Sequence, residues 1–312
     1  MTLAQPKMSY IVVSRNDSYC GDSVGRLQHT LNHTGKILST KNKLSESEVI
    51  LTDWASPVEN GPLVKKLDLN DEIKSVLKIV EVPSDIANKH QKDSPFSEVH
   101  AMNVGFRKSS GKFFGRIDQD TLIGPRFIDW FYDEFHVLDL GFDWPLVAFS
   151  GRRNLSPEQS LDPDCLIFDD DRYKEVEICH PNNHFSRVVP NGKHVMLFYG
   201  GAVGIMIVER ELYEKHKGFN EEFVYMNNMD TEFMNRLKGD NAFYNLGLKC
   251  DADFYHINHD RSEGAAGDIQ LHAESAGSRA TNPGLIRSEE VINKNPEDWG
   301  LNSEELEVHT FS

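Results

Sequence analysis

Two aspartates one residue apart follow a short apolar and aromatic segment, and this arrangement could bind a metal ion. The segment, residues 112–117, has the composition of a buried strand, and Asp118 and Asp120 come directly after it. Residues i and i+2 of an extended chain point to the same side, so both carboxylates can face one point. Two anions that close repel each other unless a cation or a proton separates them. A hard divalent cation with open positions for phosphate oxygens fits this pair, and a turn that favours aspartate is the alternative.

Segments of strand-like and helix-like sequence alternate ahead of this pair. The alternation predicts an α/β fold with a mixed, mostly parallel central sheet flanked by helices. Ligands of such sheets bind beyond the carboxyl ends of the strands, which here carry polar residues. The predicted strands are 9–14, 47–52, 77–82 and 112–117, and the predicted helices are 22–34 and 98–109.

The second half of the chain is less regular. We expect a helix over 127–140 and a strand over 145–151, followed by a long loop over 152–192 that covers the site or meets an acceptor. Two further apolar segments, 195–199 and 202–208, flank a Gly-Gly pair. The polar tail from residue 263 onward either wraps the domain or is partly disordered.

Composition and charge exclude several classes of protein. The 312 residues suit one large α/β domain or two small ones, and the net charge of -16 argues against nucleic acid as a partner. No apolar run reaches the ~18 residues of a membrane span, and the first residues contain no signal peptide, so we expect a cytoplasmic protein without a transmembrane segment. Four scattered cysteines lack Cys-X-X-Cys spacing, which excludes a zinc ribbon or redox motif and predicts free thiols.

The residues around the aspartate pair resemble those of GT-A (Rossmann-like) glycosyltransferases. Residues 11–17 are similar to the first strand and nucleotide-contacting turn of that family, 51–54 to its second strand, and 103–114 to the helix and strand before its metal motif. The resemblance implies that Asp118 and Asp120 bind a Mn²⁺ or Mg²⁺ diphosphate. The nucleotide-sugar-binding residues that it implies are Ser14, Arg15, Asp17, Asp53, Arg107 and Asp118.

A second block resembles the acceptor half of inverting members, including family 2 and the β-1,4-galactosyltransferase group. It implies that Gly200, Gly201 and Asp230 contact the acceptor and that Asp230 is the catalytic base. Met229 stands where an acid is usual in that motif. The alternative for Asp230 is a helix N-cap, since 231–238 has helical spacing.

A third block, residues 255–261, resembles the segment of the galactosyltransferase group whose histidine completes the metal shell. His259 matches that ligand, and His256 lies where a methionine can also ligate. Imidazole suits Mn²⁺ or Zn²⁺, and a mixed Asp/His shell favours a transition metal over Mg²⁺. The alternative is a pair of ordinary surface or core histidines.

Together the resemblance implies one GT-A catalytic domain over residues 1–262 with a C-terminal extension over 263–312. The nucleotide-sugar half is about 9–125 and the acceptor half about 145–262. The implied enzyme is a metal-dependent inverting hexosyl- or pentosyltransferase that takes a nucleoside diphosphate sugar, with uridine expected from the family's habits, and a glycan acceptor.

Two rival functions stay open. A nucleotidyltransferase also uses an α/β sheet and a metal, but its glycine-rich loop after the first strand is missing, since no glycine occurs between Ser14 and Gly21. A catalytically silent GT-A-like domain that binds a glycan or a partner is the second rival, and Met229 supports it.

Overall fold

The structure is a computed structural model, and it describes most of the chain. The described residues are 5–134, 146–156, 159–160, 184–188, 194–198, 203–225, 229–237, 242–245, 254–259 and 295–311. Their helices are α1 (Ser23–Thr40), α2 (Asp71–Lys74), α3 (Ser84–Ala87), α4 (Glu98–Lys108), α5 (Pro125–Asp129), α6 (Arg210–Lys215) and α7 (Met229–Arg236). Short 3₁₀ turns lie at Leu44–Glu46 and Leu63–Lys65, and a π-helical turn at Trp130–Glu134 follows α5.

The strands of the described residues form one large and two small sheets. They are β1 (Met8–Ser14), β2 (Ser47–Trp54), β3 (Leu77–Val82), β4 (Phe113–Ile117), β5 (Thr121–Ile123), β6 (Leu146–Gly151), β7 (Arg153–Asn154), β8 (His184–Val188), β9 (His194–Phe198), β10 (Val203–Glu209), β11 (Ala242–Asn245), β12 (Phe254–His256) and β13 (Glu307–Thr310).

The large sheet has eight strands in the order β11-β6-β10-β4-β1-β2-β3-β13. Strands β11, β6, β4, β1, β2 and β3 run in one direction, and β10 and β13 run against it. The prediction of a mixed, mostly parallel sheet flanked by helices is therefore confirmed.

Both faces of the central strands β1 and β4 are buried, which explains why these strands are largely apolar. Ile11 and Val13 of β1 belong to the apolar cluster on the α4 face, whereas Tyr10 and Val12 belong to the cluster on the α1 face. This alternation follows from the two-residue period of a strand.

The predicted elements of the first half agree with the structure apart from their ends. Strand β3 has the predicted bounds, and β4 begins one residue later than predicted. Helix α1 continues to Thr40 beyond the predicted end, and the Asp22 side chain caps it by accepting from the Gly25 N–H at 2.8 Å. The helix predicted over 127–140 is split into α5 and the π-helical turn, and its last residues lie outside the described ones.

One small sheet, in the order β5-β12-β7, sits just beyond the end of β4. Strand β12 pairs antiparallel with β5, with His256 opposite Thr121, and parallel with β7, with His256 opposite Asn154. This sheet therefore joins the segment after β4 to two segments that are distant in the chain.

The last described residues, 295–311, pack on the domain. Strand β13 pairs antiparallel with β3 and closes one edge of the large sheet. Trp299 is buried and stacks on Phe106 of α4 with ring centroids 5.7 Å apart. This part of the C-terminal extension wraps the domain, and among the described residues no helix has the length and apolarity to cross a membrane.

Helix α4 approaches the sheet closely at Gly105, and this contact can be tested. A Cβ at Gly105 would lie 2.6 Å from Ile11 Cγ2 and 3.0 Å from Thr52 Oγ1. We expect Gly105→Ala to lower the free energy of unfolding by ~1–2 kcal/mol, because overpacking outweighs the gain in helix propensity. Urea unfolding measures this change. Lys108→Ala, at the end of the same helix, is the control and should shift stability by less than ~0.5 kcal/mol. A stabilised Gly105→Ala variant would contradict this packing.

Candidate metal and acid–base site

The backbone after β4 brings its aspartates to β12. Asp118 and Asp120 lie in the turn between β4 and β5, where the Thr121 N–H donates to the Asp118 carbonyl at 3.1 Å. The Ile257 N–H donates to the Asp120 carbonyl at 2.9 Å, which continues the pairing of β12 with β5. The histidine at the end of β12 is thereby held beside Asp120.

Asp120, His256 and His259 form a compact cluster whose possible ligand atoms all lie within 4.8 Å of one another. Asp120 Oδ2 is 3.5 Å from His256 Nε2 and 3.3 Å from His259 Nε2. All three side chains are at least nine-tenths buried. The structure therefore brings together three of the four metal ligands that the sequence predicted.

The chemistry of this cluster fits a divalent transition metal. The His256 Nδ1 lies 3.0 Å from Asn154 Oδ1, which orients the ring and leaves Nε2 towards Asp120. Asp120 Oδ1 and His259 Nδ1 are buried and have no hydrogen-bond partner among the described residues. Burial opposes ionisation of Asp120, but the two histidines outweigh it and hold its pKa well below the usual range. Burial lowers the pKa of His256, which favours the neutral imidazole that ligates metals.

Asp118 lies between two arginines instead of in the cluster. Its Oδ1 is 2.9 Å from Arg116 Nη2, and its Oδ2 is 2.7 Å from Arg152 Nη1. Arg152 Nη1 is also 3.5 Å from Asp120 Oδ1. Since both oxygens of Asp118 face guanidinium groups, this arrangement does not support the expectation that Asp118 is a metal ligand.

Asp230, in the second half of the chain, lies beside Arg116 and the turn after β4. It lies in the first turn of α7, after Met229, and is therefore inside the helix and not at its N-cap. Its Oδ2 is 3.3 Å from Arg116 Nη1, and its Oδ1 is buried without a hydrogen-bond partner in the described residues. Burial raises the pKa of Asp230, and Arg116 opposes this rise.

Among the described residues, the site carries more negative than positive charge. Glu98, at the start of α4, lies 2.7 Å from Arg116 Nη2, so three carboxylates surround this one guanidinium group. Burial raises the pKa of Glu98 to about 7, and Asp118 and Asp230 add to the rise. A bound divalent cation would offset this excess of negative charge.

The predicted nucleotide contacts after β1 lie at the same edge of the sheet. The Ser14 hydroxyl donates to Gln119 Oε1 in the turn between the two aspartates. The Arg15 Nη1 donates to the Pro95 carbonyl, and Arg15 Nε lies 3.1 Å from Asp17 Oδ2. Their contact with a nucleotide stays a prediction.

Asp53 is the penultimate residue of β2, and both of its carboxylate oxygens already have partners. The Ser56 hydroxyl donates to Oδ1, and the Leu63 N–H donates to Oδ2 at 2.7 Å. The residue is 1% exposed, and burial raises its pKa to about 6. A nucleotide contact would therefore require Asp53 to give up one of these hydrogen bonds.

Arg107 does not lie at this edge, and its surroundings do not support the expected nucleotide contact. Its guanidinium stacks over the Trp299 ring at 3.9 Å from the centroid, and Nε donates to the Trp299 carbonyl at 3.1 Å. Arg107 is in the last turn of α4, and a helix that runs back before β4 ends at the amino edge of the parallel strands. Gly200 and Gly201 lie outside the described residues.

Sequence reasoning missed four residues of this site. A charged residue in a buried strand signals a buried ion pair, and Arg116 lies two residues before Asp118 on the same side of the chain. The other three gave no local signal, because their partners are distant in the chain. They are Glu98, Arg152 and Asn154.

The comparisons with known proteins give fold-level likeness only. No family model matches the sequence, and no curated protein matches it. Among solved structures, residues 1–349 of S. aureus TarS in complex with UDP-GlcNAc match at a TM-score of 0.49 and 15% identity, covering 90% of this chain and 68% of that one. A further TarS structure matches at 0.46 and 18% identity, and this chain spans 41% of its length.

The catalytic domain of Drosophila β1,4-galactosyltransferase 7, in complex with xylobiose, matches at a TM-score of 0.43 and 13% identity. The match covers 93% of this chain and 84% of that one. These neighbours are GT-A-type glycosyltransferases. Because the scores are below 0.5, the argument for function rests on the site itself.

The division of roles between the two aspartates is testable through metal binding alone. We expect Asp120→Ala and His259→Ala to weaken Mn²⁺ binding by about 100-fold or more, because each removes a ligand and not merely an outer partner. Asp118→Asn should keep Mn²⁺ affinity within about 10-fold, because Asp118 contacts arginines. Isothermal titration calorimetry measures all three variants and the wild type. An equal loss in Asp118→Asn would place Asp118 among the ligands, and a wild type that binds no Mn²⁺ would contradict the site.

The buried Asp53 predicts a pH-dependent stability. Its pKa of about 6 in the folded state exceeds the ordinary 3.8, so the protonated carboxyl favours folding at low pH. This contribution, up to ~3 kcal/mol, is lost as the pH rises from about 4 to above 6. The free energy of unfolding of Asp53→Asn relative to wild type should therefore rise over that range.

Urea unfolding at the two ends of this pH range checks the prediction. The exposed Asp68 supplies the control, because Asp68→Asn should keep a constant difference from wild type. A difference that is equally constant for Asp53→Asn would show that the Asp53 carboxyl has the same pKa in both states.

Proposed function

We propose that this protein is a metal-dependent inverting glycosyltransferase that moves a sugar from a nucleoside diphosphate sugar to a hydroxyl of a glycan acceptor. One observation carries the proposal. The cluster of Asp120, His256 and His259 lies beside a separate buried carboxylate, Asp230, and Arg116 links that carboxylate to the turn that holds Asp120. A leaving-group site and a general base are the two parts that a single displacement at an anomeric carbon requires.

The leaving-group side of the site is formed by the turn after β4. A divalent cation held by Asp120, His256 and His259 would supply Lewis-acid neutralisation of the charge that develops on the leaving diphosphate. Asn154 keeps His256 oriented, and Arg152 keeps Asp118 and Asp120 in place. We expect Ser14, Arg15 and Asp17 to contact the nucleotide from the end of β1.

The base side is formed by Asp230. Its Oδ1 has no partner among the described residues and can accept the proton of an acceptor hydroxyl. The acceptor oxygen then forms a bond to the anomeric carbon as the bond from that carbon to the diphosphate oxygen breaks. Attack from the face opposite the leaving group inverts the configuration. Because burial raises the pKa of Asp230, activity should fall with decreasing pH before an ordinary aspartate would be protonated.

Met229 does not favour the alternative function, a catalytically silent binding domain. Met229 is 7% exposed and packs in the same apolar cluster as Phe233, so this position serves packing. The base position itself is occupied by Asp230, which faces Arg116. The residue that departs from the family pattern is therefore not the one that the chemistry needs.

A panel of nucleotide sugars tests the proposed function. UDP-GlcNAc, UDP-glucose, UDP-galactose and GDP-mannose are incubated with the protein and Mn²⁺, and the released nucleoside diphosphate is measured with and without EDTA. We expect turnover of at least one donor, with water in the place of the acceptor, and we expect EDTA to stop it. No turnover of any donor would overturn the proposal, and binding of UDP or GDP without turnover would favour the catalytically silent domain.

Asp230→Asn tests the base within the same assay. We expect the rate of donor turnover to fall by ~10²-fold or more, the usual contribution of a general base, while the Kd of UDP with Mn²⁺ stays within about 3-fold of wild type. Asp133→Asn, a substitution of an aspartate remote from the site, is the control for a lost surface charge. Full activity of Asp230→Asn would remove Asp230 from the mechanism.

A further inference from the structure

Arg116 is a buried arginine in the middle of the large sheet, and its guanidinium group touches carboxylates from three separate segments. Nη2 is 2.7 Å from Glu98 Oε1 and 2.9 Å from Asp118 Oδ1, and Nη1 is 3.3 Å from Asp230 Oδ2. The side chain is 7% exposed. These contacts place one cation between the donor half and the acceptor half of the site.

The anchor of this arginine does not depend on Asp230. Arg116 belongs to β4, which lies between β1 and β10, and Glu98 belongs to the first turn of α4, which packs on β1 and β2. A guanidinium group offers its donors in a rigid planar fork, so contacts on Nη2 also fix the direction of Nη1. The position of Nη1 is therefore set by the central sheet and by α4.

The two functional carboxylates depend on Arg116 to different degrees. Asp118 has a second cation, since its Oδ2 lies 2.7 Å from Arg152 Nη1. Within the described residues Asp230 has Arg116 as its ion-pair partner and no other. Removal of Arg116 would release Asp230 but leave Asp118 held.

We propose that Arg116 is a positioning residue for Asp230: by holding Oδ2, it keeps Oδ1 directed at the hydroxyl that is to be deprotonated. This inference rests on the proposed function and adds to it the residue that orients the base. Helix α7 is anchored by its own packing, since Phe233 is buried in the apolar cluster on the α4 face and Arg236 donates to the His216 and Gly218 carbonyls. The contact with Arg116 therefore serves to direct the side chain of Asp230. A displacement of a base by about 1 Å is enough to lower a rate by ~10²-fold.

A double-mutant cycle tests the inference on the donor that the wild type hydrolyses. The variants are Arg116→Met, Asp230→Asn and the double variant, and the readouts are kcat for nucleoside diphosphate release and the Kd of UDP with Mn²⁺. We expect Arg116→Met to lower kcat by about 10-fold or more and to leave the Kd within about 3-fold. In the Asp230→Asn background the same change should lower kcat by less than about 3-fold, because the group that Arg116 positions is already disabled.

A purely structural role for Arg116 gives different results. It predicts that the two losses multiply in the double variant, and this outcome would overturn the inference. A loss of UDP affinity that parallels the loss of kcat would also overturn it, since Arg116 would then act on the donor side. Arg210→Met is the matched control. It removes a partly buried arginine that bonds to Ser109 and Gly111, away from the site, and any loss that it causes should multiply with that of Asp230→Asn.

Loss of a buried charge leaves its partners uncompensated and can prevent folding. If Arg116→Met does not fold for this reason, Arg116→Lys keeps the inference testable. Lysine keeps the charge but lacks the fork, so we expect a smaller loss of kcat that is again less than additive with Asp230→Asn. Full activity of Arg116→Lys and full additivity in its cycle would each contradict positioning. If the wild type hydrolyses no donor, the proposed function fails and the inference falls with it. A wild type that hydrolyses a donor at the same rate as Arg116→Met would overturn the inference alone.

Discussion

The burial of negative charge at the carboxyl end of β4 is the constraint around which the site is arranged. Glu98, Asp118, Asp120 and Asp230 converge there, and buried carboxylates are stable only when cations or protons compensate them. Arg116 and Arg152 supply part of the compensation. The remaining excess of negative charge affects Glu98, because burial and the neighbouring carboxylates raise its pKa to about 7. A site with this imbalance is suited to a divalent cation, because binding relieves an existing repulsion.

Backbone pairing sets the geometry of the cluster of Asp120, His256 and His259. Asp120 precedes β5, Asn154 belongs to β7 and His256 ends β12, and the three strands form one small sheet. The register of that sheet places His256 opposite both Thr121 and Asn154. Main-chain hydrogen bonds thus fix the positions of His256 and of Asn154, which orients it. This is why segments so distant in the chain can form one compact cluster.

The sequence predicted the elements better than the contacts. Strands buried on both faces are apolar runs that stand out locally, so β1 to β4 and the mostly parallel sheet were predicted within a few residues. The motif that contains Arg107 resembles one that contacts a nucleotide, but Arg107 packs on Trp299 of the C-terminal extension. No local pattern connects these two residues, which are distant in the chain. The spacing of Asp118 and Asp120 predicts a metal ligand, but it gives no sign of Arg152, which contacts Asp118 from a distant segment. Arg116 itself was visible as a charge in a buried strand, yet its role depends on Glu98 and Asp230, which no local pattern connects.

The position of Asp230 relative to Arg116 also bears on how the two halves of the chain cooperate. The first half contributes the turn after β4, and the second half contributes α7, which Phe233 and Arg236 anchor to the rest of the domain. An ion pair between Arg116 and Asp230 joins these two segments at the carboxyl end of β4. Met229, next to Asp230, packs in the apolar cluster with Phe233. An acid in place of Met229 would add a fifth carboxylate next to a site that already lacks positive charge. An apolar residue at this position is therefore consistent with an active site in which one carboxylate serves as the base.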